Sequence, residues 1–238
     1  MKTIAMLFVM FIAFHGCGGS SSVDATTPYN NGITPDDNGT EYYLHSDITV
    51  TLFWVGEEAN DENDYIPNDE SAWDVDWEEH YGGLDDPSNR DGYYPAEFTP
   101  KENPFYFALP YTDFEFDEDG TRKSNVYEVI PWANERTYGP DESMCKNRWI
   151  RIIKNDKVAY AQWEDAGPFE YDDTAYVFGT QPPKNTENNN AGLDVSPAVW
   201  DYLGLSDFDT VSWQFVDESE VPDGPWKAIV TTSQINWE

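Results

Sequence analysis

Apolar and polar positions divide this chain into a short apolar head, a polar stretch and a long region of short strands. Residues 4–14 are an unbroken apolar run with Lys2 in front of it. Residues 18–45 are mostly Gly, Ser, Thr, Asn and Asp and lack hydrophobic periodicity, which predicts a flexible tether. β-branched and aromatic residues then crowd 48–55 and predict a first strong strand. Residues 57–103 are acidic, rich in Gly, Pro, Asn and Asp, and without a clear period. So long a stretch predicts a functional insertion or a mobile lid. A short buried strand or turn is expected at 106–110. Strands are expected at 126–130, 149–153 and 158–163, with Lys154-Asn155-Asp156-Lys157 as the hairpin turn between the last two. A loop follows at 179–192. Ser196-Pro197 and Gly204 bracket one short helix, and last strands are expected at 210–216 and 226–232. Six or seven strands with one short helix predict an all-β fold, a barrel rather than a sandwich.

The head has the layout of a secretory signal, a basic end and an apolar core followed by a small residue, and it is short for a membrane span. Phe14-His15-Gly16-Cys17 resembles a lipobox, so the start of the chain is similar to that of a bacterial lipoprotein. The resemblance implies cleavage after Gly16, diacylglycerol on the Cys17 sulfur and an acyl group on its new amino terminus. Gly18 is similar to the outer-membrane sorting pattern. The expected divisions are a signal at 1–16, a tether at 17–45 and a barrel domain at 46–238. The expected place is the cell envelope, as an outer-membrane lipoprotein facing the periplasm or the cell surface.

Composition narrows the rest. With Cys17 lipidated, Cys145 has no partner within the mature chain, so the fold is no disulfide scaffold. It must rest on an ordinary core, for which 39% hydrophobic residues suffice. The 46 acidic residues against 13 Lys and Arg give a net charge of −33, which argues against nucleic acid and anionic lipid as partners. A solvated, repulsive surface explains that charge, and calcium is the one cofactor the carboxylate clusters would suit. Asp117-Glu118-Asp119-Gly120 looks like part of a calcium loop, yet Val126 stands where an EF-hand needs its closing Glu. The three His, at 15, 45 and 80, form no zinc pattern with the Cys, and phosphate-loop and hydrolase-elbow motifs are lacking. Ten Trp and 15 Tyr fit a carbohydrate binder as well as an aromatic core.

One ordered set of motifs carries a resemblance. Trp163-Glu164-Asp165-Ala166-Gly167-Pro168-Phe169 closes a strand, and Gly192-Leu193-Asp194-Val195-Ser196-Pro197-Ala198-Val199 opens the helix. Leu203-Gly204-Leu205 and Val211-Ser212-Trp213-Gln214-Phe215 follow. This order resembles the double-psi β-barrel of rare lipoprotein A, the expansins and family 45 glycoside hydrolases, the rare lipoprotein A-like group above all. It covers roughly 158–216, with 49–54 as the first barrel strand, and leaves about 57–147 as an insertion. The implied fold is a six-stranded double-psi β-barrel with one short helix and a long acidic loop. In the family the carboxylate at the position of Asp194 is the acid/base or the glycan contact, and the one at Asp165 lies near it. Trp163, Phe169 and Tyr171 are expected to line the same cleft as substrate contacts. Each Asp also has a structural explanation, Asp194 as a helix cap and Asp165 as a turn residue.

The expected function is a lipid-anchored envelope protein that acts on peptidoglycan or a related polysaccharide as a monomer. The expected chemistry is a lytic transglycosylase's or, less favoured, a glycoside hydrolase's. The alternative is an expansin-like module that binds or loosens glycan without cleaving it. No resident metal or organic cofactor is implied, calcium aside.

Overall fold

A computed structural model describes residues 34–35, 41–61, 63, 65–116 and 120–235. Cys17, the expected signal, most of the expected tether and Asp117, Glu118 and Asp119 lie outside the described residues. The central feature is a closed barrel of six strands. Two short strands, β1 (Thr34–Pro35) and β2 (Glu41–Tyr42), pair with each other ahead of it. The barrel strands are β3 (His45–Leu52), β6 (Tyr106–Leu109), β7 (Trp149–Lys154), β8 (Lys157–Ala166), β9 (Leu193–Val195) and β10 (Thr210–Val216). A small hairpin, β4 (Arg90–Asp91) and β5 (Tyr94–Pro95), stands apart.

Around the barrel the order is β10-β3-β9-β6-β8-β7, and β7 pairs with β10 to close it. β3 and β9 run parallel, as do β6 and β8, and the other barrel pairs are antiparallel. Closure leaves the barrel itself without an open edge strand. Val50, Phe107, Leu193, Val195, Ile150, Ile152, Trp163 and Trp213 are buried in the main core. The β7–β8 hairpin turns at Asn155, in the left-handed region that Asn tolerates (φ 54°).

Four short α-helices are described, where the sequence predicts one: α1 (Trp77–Tyr81), α2 (Val126–Val129), α3 (Thr174–Val177) and α4 (Pro197–Leu203). The expected helix is α4. Ser196 caps it by accepting from Val199 N at 3.3 Å, Pro197 occupies its first turn, and Gly204 ends it at φ 70°. Residues 126–130, expected as a strand, form the single turn α2 instead. Their β-branched residues suggested a strand, but Val126 alone of the helix is buried, and the Asn125 carbonyl collects N–H bonds from Glu128 and Val129.

The expected strand at 226–232 does not form either. Pro225 begins a 3₁₀ turn, and the barrel closes without this segment. Side chains hold it in place: Thr231 N donates to Gln162 Oε1, Gln162 Nε2 to the Thr231 carbonyl, and Asn103 Nδ2 to the Trp226 carbonyl.

The acidic segment 57–103 folds against the barrel rather than standing off it. Trp77 and Tyr81 of α1 pack with Phe53, Val55, Tyr106 and Ala108 in a second hydrophobic cluster. Beneath them, buried Asp85 pairs with Arg90 and accepts from Tyr106 Oη at 2.9 Å. Aromatic burial of this kind, at about 1.5–3 kcal/mol per large side chain, outweighs the loop-like composition.

Candidate functional site

A cleft of about 730 Å³ opens beside strands β3, β8 and β9. Its floor follows from strand register. Thr51 of β3 pairs with Asp194 of β9, Asp194 with Ala108 of β6, and Ala108 with Asp165 of β8. Four residues thus stand abreast across four neighbouring strands. The register slips between the Phe107–Trp163 and Ala108–Asp165 pairs. That irregularity brings Asp165 level with Ala108 and Asp194, because a bulge re-aims the side chains that follow it. At about 4.8 Å per strand, the two Asp backbones lie about 10 Å apart across β6, and both residues line the cleft.

Each carboxyl has its own setting. Asp165 is buried, and its Oδ1 accepts from Ala72 N and Ala166 N, both at 2.7 Å. The Ala72 bond ties the acidic segment to the end of β8. Asp194 is half-buried and accepts from the Thr51 hydroxyl. Gly167 passes close over it, since a Cβ there would lie 3.3 Å from Asp194 Oδ2. A third carboxyl enters from the loop after β3. Glu57 is buried and accepts from Asn68 Nδ2 at 3.0 Å.

All three carboxyls hold protons more tightly than ordinary acids. Burial pushes Asp165 from 3.8 up to about 7, against the pull of its two N–H donors. Burial likewise raises Asp194 to about 7, opposed by the Thr51 hydroxyl and reinforced by the charges of Asp165 and Glu57. Glu57 rises from 4.5 to about 7 through burial, with the surrounding Asn side chains opposing. Burial at all three, with the neighbouring charges added at Asp194 alone, places these carboxyls near the working pH, where one can give a proton and another receive one.

The two expected carboxylates therefore meet on one cleft. Asp194 does not cap α4, for Ser196 does so and Asp194 sits in β9. Asp165 is a strand residue with bonded backbone rather than a turn former. Phe169 and Tyr171 line the cleft, both half-buried. Trp163, expected beside them, does not: it is fully buried, stacks on Phe107 at 6.0 Å and donates Nε1 to the Asp165 carbonyl. Residues along a strand alternate sides, and the register slip after Trp163 turns Asp165 to the cleft while the indole stays in the core.

Sequence reasoning missed Thr51, Trp54, Glu57, Trp200 and Phe208, all of which line the cleft. Nothing local marks Glu57 from its exposed neighbour Glu58. What buries it is the fold-back of the loop, in which Gly56 N donates to the Asn68 carbonyl at 2.7 Å and Asn68 N to the Glu57 carbonyl at 2.9 Å.

Among the described residues, no group of three or more His, Cys, Asp or Glu side chains is arranged to hold a metal ion. No described helix is long and apolar enough to cross a membrane. No protein-family model matches the chain, and no curated protein matches it.

Proposed function

We propose that this chain is a lipid-anchored envelope protein of the rare lipoprotein A-like kind, which cleaves a glycan, peptidoglycan first among candidates, by lytic transglycosylation. The observation that carries the reading is the pairing of Asp194 and Asp165 across β6 on one cleft, both with carboxyls raised to about 7. The double-psi topology is part of the same proposal. Two parallel pairs, β3–β9 and β6–β8, within one closed six-stranded barrel support it.

Protonated Asp194 serves as the acid. It donates its proton to the glycosidic oxygen as the bond from that oxygen to the sugar C1 breaks. The 6-hydroxyl of the same sugar then forms the new bond to C1, and its proton returns to the Asp194 carboxylate. One group suffices for both transfers when its pKa lies near the working pH. Asp165, held by two backbone N–H groups, supplies negative charge against the developing oxocarbenium ion.

The same two bonds favour a second reading. They give Asp165 a structural role, as a non-catalytic glycan-binding module would require. Incubating the full-length protein with purified peptidoglycan separates the two. Anhydro-muropeptides detected by mass spectrometry, and lost with Asp194→Asn, support cleavage. Binding without anhydro products from the wild type leaves the binding module. Cys17→Ser tests the anchor, and membrane fractionation of that variant like the wild type would defeat it.

A further inference from the structure

The acidic segment reaches Asp165 through one backbone group. Ala72 N donates to Asp165 Oδ1, as does Ala166 N from the strand itself, which leaves Oδ2 as the oxygen for the cleft. Ala72 lies in a tight turn, closed by Ser71 N donating to the Asp74 carbonyl at 2.8 Å. Trp73 anchors the turn on one side. It is fully buried, donates Nε1 to Asp113 Oδ1 at 3.0 Å and meets Trp163 edge-on at 5.9 Å. Asp74 anchors it on the other. Its buried carboxyl accepts from Asp76 N at 3.0 Å and from His80 Nδ1 on both oxygens, at 2.9 and 2.7 Å. His80 belongs to α1, whose Trp77 and Tyr81 pack on Tyr106 and Ala108 of β6. The segment thus reaches from β6, the strand between the two Asp, round to Asp165 on β8. The charged groups that face the Asp74–His80 pair are Asp76, Glu102 and the buried Lys146 and Glu164.

We infer that Asp74 and His80 are positioning residues for the cleft: their pair holds the 71–74 turn so that the Ala72 N–H fixes Asp165 Oδ1, and Oδ2 meets the glycan as a carboxylate. The part played toward a glycan rests on the reading above, whereas the fixing of Asp165 stands without it. The physical argument is one of donors. A buried carboxylate is stabilised by each N–H it accepts, and a hydrogen bond to a charged group is stronger than a neutral one. Burial raises Asp165, and the Ala72 N–H, ahead of the Ala166 N–H, draws it back. Asp194 has the Thr51 hydroxyl alone to oppose its burial. Two fixed backbone donors favour the anion at Asp165, and one hydroxyl does less at Asp194. That is the division of roles the proposed chemistry needs. A segment outside the barrel thereby sets the ionisation of a barrel carboxyl.

NMR of the full-length protein, isotopically labelled, tests this. In the wild type the Ala72 amide proton should exchange slowly, and its shift should follow pH with the same midpoint as the Asp165 carboxyl. The His80 side chain is 41% exposed, so its replacement leaves the core intact. His80→Ala is expected to speed Ala72 exchange by at least about tenfold. It should also raise the Asp165 midpoint by about one pH unit, the scale of one hydrogen bond to a charged group. His80→Asn sets an amide N–H near the place of Nδ1 without the charge, and is expected to return both readings toward wild type. Equal effects of Ala and Asn would make the lost cation the cause and overturn positioning. So would an Ala72 amide and an Asp165 midpoint untouched by His80→Ala, with Trp73 alone holding the turn. A wild-type Ala72 shift that does not follow Asp165 overturns it without any variant. Peptidoglycan kinetics judge the part played toward the glycan. The acid limb of kcat/KM should move up with the Asp165 midpoint in His80→Ala and return in His80→Asn. An unmoved limb beside a moved midpoint overturns the service of Oδ2 to the glycan. Absence of anhydro products from the wild type defeats the cleavage reading, while the NMR result still decides the positioning.

Discussion

Asp194→Asn should make the folded protein more stable at alkaline pH while it removes the proposed acid. Folding moves the Asp194 carboxyl from its ordinary 3.8 to about 7. The folded state therefore holds the proton more tightly than the unfolded state does. Stability contributed at this position is intact below about pH 4, falls as pH rises toward 7, and stays at its lowest above that. At about 1.4 kcal/mol per pH unit, the loss on crossing this window is about 4 kcal/mol at most. Asp165 and Glu57 titrate in the same cleft, so part of that loss belongs to the group rather than to Asp194 alone. Asn carries no such penalty, and its Oδ1 can still accept from the Thr51 hydroxyl. Urea unfolding should find the variant equal to the wild type near about pH 4. Near about pH 8 it should be more stable by a few kcal/mol, read from the shift in midpoint at constant slope. A ¹³C-carboxyl titration of Asp165 should move down once its charged neighbour is gone. A variant no more stable than wild type at about pH 8, with Asp165 titrating unchanged, would refute the desolvated, coupled carboxyl pair on which the proposed chemistry depends.

Three further predictions test other parts of the structure. Trp163→Ala should cost about 3–5 kcal/mol in denaturant unfolding, as for other buried aromatics; near-native stability with impaired glycan binding would instead put the indole at the cleft. Lys146 Nζ lies 2.6 Å from Glu164 Oε2, and both side chains are almost fully buried. Lys146→Met should cost about 3–5 kcal/mol by leaving Glu164 unpaired, and adding Glu164→Gln should recover much of it, whereas two independent losses would refute the coupling. Cys145 is free and fully buried, and burial pushes its thiol up, so a thiol reagent should label it slowly when folded and quickly in denaturant; rapid labelling of the native protein would contradict this placement.

What the sequence determined by itself was local. The run at 48–55 and the Asn155 turn were legible because period, β-branching and turn chemistry are properties of neighbouring residues. So was α4, with its Ser196 cap, Pro197 and Gly204. The same local signals misled at 126–130 and 226–232, where β-branched residues had no strand to pair with once six strands had closed the barrel. They also misled at 57–103, whose loop-like composition hid the Trp77 and Tyr81 contacts with Tyr106. Asp165 and Asp194 were legible as candidates through the motifs around them. Their meeting depended on β6, four fully buried residues without alternation, which inserts between β8 and β9 from far away in the chain. Pairing between distant strands, and the register slip that turns Asp165 to the cleft and leaves Trp163 in the core, are decided by which surfaces pack together. No window of the sequence contains both partners of such a contact. Glu57 and Phe208 joined the site for the same reason, because chain folding placed them on its walls while their own neighbours in sequence gave no sign of it.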